Sequence, residues 1–139
     1  MDNAALDRLF HSLDVPVEGT AGNWQIALEH GRIICLTDEK HNRMRFISPI
    51  RETSEMDANE LTRCLEANFH TALDIKYAIS DGVLWSTFIH PLAELSEPQA
   101  RDALEQVYSG VLTYGSSYSS SNLSFLKSQD RRDLSLIHI

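Results

Sequence analysis

The chain has 139 residues, is 42% hydrophobic and carries a formal net charge of −8 with a pI near 5.1. That is one domain's worth of chain, enough for a single packed core. An acidic surface repels phosphate backbones and anionic membrane faces, so nucleic-acid and membrane-surface binding are argued against, and basic or amphipathic polypeptide partners are favoured.

In chain order, Leu6, Leu9, Phe10 and Leu13 follow the i, i+3, i+4, i+7 spacing of an amphipathic helix that Pro16 limits. Trp24, Ile26 and Leu28 alternate with polar or small neighbours and predict a half-buried strand. His30-Gly31 turns the chain, and the apolar run Ile33 to Leu36 predicts a more buried strand. Asp38 to Asn42 is a polar loop, and Met44 to Ile47 a third, weaker strand whose end or edge position Pro49 marks. These three strands are expected to form an antiparallel meander.

A second helix starts at Asp57, with Glu60 completing a capping box and Met56 and Leu61 at the hydrophobic-staple positions. Its expected apolar face is Leu61, Cys64, Leu65 and Phe69. Leu73, Ile75, Tyr77 and Ile79 then alternate as a strand, and Asp81-Gly82 forms a two-residue type I′ turn. That turn sets the register Ile79–Leu84, Tyr77–Ser86 and Ile75–Phe88. The other face of the hairpin carries Ala78, Trp85, Thr87 and Ile89, so both faces are apolar. One can pack on helices; the other needs a second cover or is a contact surface.

A third helix starts at Ser96, with Pro98 in its first turn, Gln99 completing a capping box and Ala100, Ala103, Leu104, Val107 and Val111 as its stripe. Gly115 is the expected stop. The order α-β-β-β-α-β-β-α predicts an α+β two-layer sandwich, an antiparallel sheet with helices packed on it, over residues 1–115. Residues 116–133 are read as a Ser-rich mobile tail. The last residues, Leu134-Ser-Leu-Ile-His-Ile139, match one reading frame of the mosaic-end adapter used in transposon-based sequencing libraries. Residues 134–139 are therefore expected to be non-native, with the natural C-terminus lost. Met1-Asp2-Asn3 opens no signal peptide, and no stretch reaches the length of a membrane span.

Chemistry is sparse. Cys35 and Cys64 both sit in apolar patterns and read as buried free thiols, with a single disulfide as the alternative. The histidines form no H-x-x-x-H or H-E-x-x-H pair, and there is no C-x-x-C. His70 and His90 flank the hairpin and could meet, which is a weak zinc signal; element-end histidines are the favoured reading. Asp57 and Glu60 are explained by capping, no G-x-S-x-G elbow occurs, and the glycines are scattered rather than gathered into a phosphate loop. Arg43, Arg45 and Arg51 read as the polar face of an edge strand rather than a nucleic-acid face. No catalytic, cofactor-binding or metal-ligating set emerges.

Leu61-Thr-Arg-Cys-Leu-Glu-Ala-Asn-Phe69, the Tyr77-Ala-Ile-Ser-Asp-Gly-Val-Leu-Trp85 hairpin and the Leu92 to Val111 helix together resemble the bacterial type III secretion chaperones of the Tir-chaperone family. The resemblance spans residues 3–114, in element order more than in residues. The same order resembles the related sensory-transduction-regulator-like family, which shares the fold. The resemblance implies a cytoplasmic, non-enzymatic homodimer without cofactor that holds an extended segment of a client or effector protein by strand addition and side-chain pockets. By position it implies Leu6, Phe10, Trp24 and Ile26 for partner binding, and Leu61, Leu65, Phe69, Trp85, Thr87 and Ile89 for the dimer interface, each with core packing as its competing role. The competing functions are a regulator-like or structural homodimer without an export client and, further off, a zinc protein or enzyme using His70 and His90.

Overall fold

The computed structural model describes residues 1–118; the expectations for the remainder of the Ser-rich tail and for residues 134–139 lie outside the described residues. The described residues fold as an α+β domain with a six-stranded antiparallel sheet and three α-helices. Helix α1 (Asn3–Ser12) is followed by β1 (Val17–Thr20), β2 (Asn23–Leu28), β3 (Gly31–Asp38) and β4 (Arg43–Glu52). Then come α2 (Ala58–His70), β5 (Lys76–Ser80), β6 (Val83–His90) and α3 (Glu97–Leu112). The strand order is β1-β2-β3-β4-β6-β5, so the connection through α2 and β5 returns β6 beside β4.

The expected order lacks β1. Its sequence, Val-Glu-Gly-Thr, has no alternating large apolar residues, and it pairs with β2 through Gly19 opposite Trp24. Gly19 has a φ of 110°, and a Cβ there would fall 2.2 Å from the Asn23 carbonyl oxygen. A glycine that reads as a strand breaker is what lets this strand lie so close to β2. The third expected strand also runs further, through Pro49 to Glu52. Pairing of β4 with β3 ends at Ile34–Ile47, and a bulge between Pro49 and Arg51 absorbs the proline, so its missing N–H breaks no ladder bond on the β3 side.

The helix starts follow the local chemistry of their sequences. Asp57 and Glu60 close a full capping box on α2, and Ser96 and Gln99 do so on α3. Asp2 caps α1 by accepting a bond from the Ala5 amide. The Asp81-Gly82 turn has φ of 51° and 74°, as type I′ requires, and Ile79 faces Leu84 and Tyr77 faces Ser86. The Ile75–Phe88 pair does not form. Strand β5 begins only at Lys76, Leu73 is held at φ 53°, and Ile75 drops into the core.

One sheet face carries the core. Phe10 meets Trp24 and Phe46 edge-on, and Phe46 stacks with Phe88. Leu6, Ile26, Ile33, Met44, Leu104 and Val107 complete this cluster between α1, α3 and the sheet. A second cluster, Cys64, Ala67, Tyr77, Leu84 and Tyr118, packs α2 onto the same side of the hairpin. Both thiols are free and buried, in separate clusters. The chain past Gly115 does not leave the fold at once: Tyr118 is buried, its amide donates to the Thr113 carbonyl, and its own carbonyl accepts from Thr71. Residues 116–118, expected as tail, are therefore part of the packed unit.

Candidate protein-binding surfaces

Alternation settles which face of the hairpin is core. Tyr77, Leu84, Ser86 and Phe88 point to the helices and are buried. Ala78, Trp85, Thr87 and Ile89 point to the other side, which no helix among the described residues covers. On that open side the register lines up Ile34, Ile47 and Thr87 in one row and Leu36, Arg45 and Ile89 in the next.

The apolar stripe expected on α2 divides. Cys64 is buried, and with Ala67 it makes the inward face; Leu61 is half-buried. Leu65 and Phe69 point away from the domain, 71% and 85% exposed. Ile79 and Ile89 are also more than half exposed. The exposed apolar side chains therefore lie on α2, on β5 and on the open sheet face at the end of β6. Water-exposed Leu and Phe grouped in this way lose several kcal/mol of available burial energy, about 1.5–3 kcal/mol for each side chain a partner would cover.

Leu6, Phe10, Trp24 and Ile26 do not reach that surface. All four are closed off in the core, and the Trp24 indole N–H donates to Asp7 Oδ1 at 2.9 Å. Their expected partner-binding role is corrected to core packing: β1 lies along β2, and α1 covers the Trp24 face. The spacing that makes a helix or strand amphipathic marks an apolar face without saying what covers it.

The two sheet rims differ. At the β5 rim, the Asn68 side chain acts as a strand of one residue. Its Nδ2 donates to the Tyr77 carbonyl at 3.0 Å and its Oδ1 accepts from the Tyr77 amide at 2.8 Å. Lys76 Nζ donates to the carbonyls of Asn68 and Leu73, both at 3.1 Å. At the β1 rim, among the described residues, no hydrogen bond reaches the outer edge. Among the described residues, β1 therefore presents a whole outer edge of backbone donors and acceptors to an incoming strand, whereas on β5 Asn68 occupies the Tyr77 position.

Polar groups near α2 serve the fold. Arg51 donates to Glu60 Oε2 at 3.2 Å, and the Tyr114 hydroxyl donates to the same oxygen. Burial, then the neighbouring Glu60 carboxylate, pushes the Cys64 thiol up to about 11. His70 and His90 do not come together. His70 packs edge-on against Phe69, while His90 stacks on Phe88 and its Nδ1 lies 2.8 Å from the Pro91 carbonyl oxygen. Among the described residues no group of three or more His, Cys, Asp or Glu could hold a metal ion, and no helix is long and apolar enough to cross a membrane.

No family model matches the sequence, and no curated protein matches it significantly. Solved structures do. A chain of the HopA1–SchA chaperone–effector complex superposes with a TM-score of 0.63 at 14% identity, covering 80% of this chain and 90% of that one. A chain of the heterodimeric ExoU–SpcU complex of the Pseudomonas aeruginosa type III secretion system gives 0.61 at 14% identity, covering 81% and 93%. A chain of the ExsC–ExsE complex gives 0.55 at 12% identity, covering 80% and 92%. The fold is that of type III secretion chaperones. At these identities the likeness is one of architecture, over about four-fifths of this chain. Sequence reasoning marked the hairpin and α2 of this chaperone-like fold. It missed β1, whose free edge carried no apolar signal, and Asn68, whose role depends on a strand nine positions away.

Proposed function

We propose that this chain is a non-catalytic, cytoplasmic binding protein that works as a homodimer and holds an extended segment of a client protein, in the manner of a type III secretion chaperone. The observation that carries the reading is the exposed apolar strip of Leu65, Phe69 and Ile89 around the β5 rim of a chaperone-like fold. An isologous contact of two such strips, joined by Leu61, Trp85 and Thr87, covers these side chains in one step. Asn68 supports this placement, because it occupies the Tyr77 backbone groups where a strand would otherwise add to this rim. The free edge of β1 then takes the client segment as an added strand.

Two measurements test the reading. Light scattering of the full chain across a dilution series should return twice the monomer mass of 15.7 kDa. Co-expression with secreted proteins encoded beside it should keep one of them soluble and co-purifying. Its binding should protect the amides of Val17–Thr20 from hydrogen exchange. A folded monomer that captures none of them would overturn the proposal.

A further inference from the structure

A cavity of about 420 Å³ lies between the start of β5, the end of β6 and the first half of α3. The sequence gives no hint of it, since its polar groups come from positions far apart in the chain. Beside it sits Gln106, 3% exposed and fully engaged. Its Nε2 donates to Asp74 Oδ2 at 3.0 Å and to Asp102 Oδ2 at 2.7 Å, and its Oε1 accepts from the Asp74 amide at 3.0 Å. One buried amide thus holds two cavity-lining carboxylates, from separate elements, side by side.

Among the described residues neither Asp74 nor Asp102 has an ion-pair partner. Lys76, which also lines the cavity, turns its ammonium to the carbonyls of Asn68 and Leu73. The rest of the wall combines Gln99 with a flat aromatic surface and aliphatic side chains. The Phe88 and His90 rings stack with 8° between their planes, and Leu73 and Ile89 stand exposed at the mouth.

These features select among cations. Gln106 occupies one oxygen of each carboxylate and leaves the other to a ligand, and among the described residues no third His, Cys, Asp or Glu joins the pair to hold a metal ion. An ammonium is attracted to an aromatic face but is a point charge, with no planar fork of donors for two carboxylates. A guanidinium is planar, offers forked donors to two carboxylates, and stacks on aromatic faces, while its methylene stem lies along aliphatic side chains such as Leu73 and Ile89. We infer that this cavity is a receptor for an arginine side chain presented by the client protein. The inference rests on the reading that the chain binds a polypeptide, and it names one determinant of which polypeptide.

The test uses the full chain, labelled with nitrogen-15, and N-acetyl-arginine N-methylamide as the probe. Saturable shifts of the Gln106 side-chain amide and the Asp74 backbone amide are expected, with a Kd on the order of millimolar for so small a ligand. The lysine and norleucine analogues should bind at least tenfold more weakly. Asp74→Asn and Asp102→Asn should each weaken the arginine response at least tenfold. Asp102 lies on an exposed helical surface, so Asp102→Asn carries the test if Asp74→Asn disturbs its turn. No arginine response, an equal response to lysine, or an unchanged response in Asp102→Asn overturns the inference. Client capture without an arginine response sinks the receptor and leaves the binding reading standing. An arginine response without client capture does the reverse.

Discussion

Gly82 occupies the second position of a turn that needs positive φ at both central residues, and its φ is 74°. A β-branched side chain is strained there whatever the space around it. Gly82→Val should cost about 1–3 kcal/mol, read as a lower denaturation midpoint with an unchanged slope; an unchanged midpoint would mean the turn is not type I′ in solution. The pair was legible in the sequence because turn chemistry is local: two adjacent residues state their own dihedral needs. Cys64 makes a second point at this scale. Its thiol is raised from 9.0 to about 11 by burial and by Glu60, so the neutral form is the one the fold favours. That contribution to stability is complete below pH 9.0 and is lost as pH rises through about 11. At pH 8 the native thiolate fraction is about a hundredfold below that of the unfolded chain, and iodoacetamide should label Cys64 slowly until denaturant is added. Fast native labelling would show that the second core cluster opens.

Between elements, α3 comes close to the sheet at Gly110. A Cβ there would fall 2.4 Å from Ser86 Oγ and 3.0 Å from Ile75 Cδ1. Ser86 is not free to move, because its buried hydroxyl donates to the Val107 carbonyl, and the Tyr77 hydroxyl donates to the Gly110 carbonyl at 2.9 Å. Two effects compete in Gly110→Ala. Helix propensity favours alanine by about 1 kcal/mol, and overpacking costs about 1–3 kcal/mol; with polar partners pinned on both sides, overpacking should win. A double-mutant cycle with Ser86→Gly should recover part of the loss, and strictly additive effects would argue against the contact. The elements themselves were unevenly legible. The capping boxes of α2 and α3 are stated within four residues each, so both starts were readable. Strand β1 was not, because its glycine and its exposed residues look like a loop until β2 is laid beside it. The stripe on α2 was found but assigned as one face, since periodicity cannot distinguish Cys64, which meets Tyr77 and Leu84, from Phe69, which meets water. The carboxylate pair at Gln106 was illegible for a related reason: Asp74 and Gln106 are brought together by the packing of α3, not by spacing in the chain.

At the scale of the molecule, all three helices lie on one side of the sheet, and this leaves an asymmetry to resolve. The domain satisfies the Tyr77 backbone at the β5 rim through Asn68 and leaves Leu65, Phe69, Ile79 and Ile89 uncovered on α2, β5 and β6. Were this strip merely an exposed surface, charging it would change little, since substitutions away from buried groups usually move stability by less than about 0.5 kcal/mol. Were it a two-fold interface, each change would count twice, because an isologous contact uses the same residue from both copies. Phe69→Glu separates these cases. Removing one buried phenylalanine from each side should weaken association by about 3–6 kcal/mol, two to four orders of magnitude in Kd. The monomer should stay folded, because Phe69 touches the domain little. Light scattering should therefore show wild-type dimer and variant monomer at the same concentration, with overlapping thermal melts once both are diluted to monomer. A variant that remains dimeric would move the interface off the β5 rim, to the open sheet face around Ile34, Leu36 and Ile47, where Arg45 stands in the middle of the apolar rows and an acidic partner surface becomes the better match.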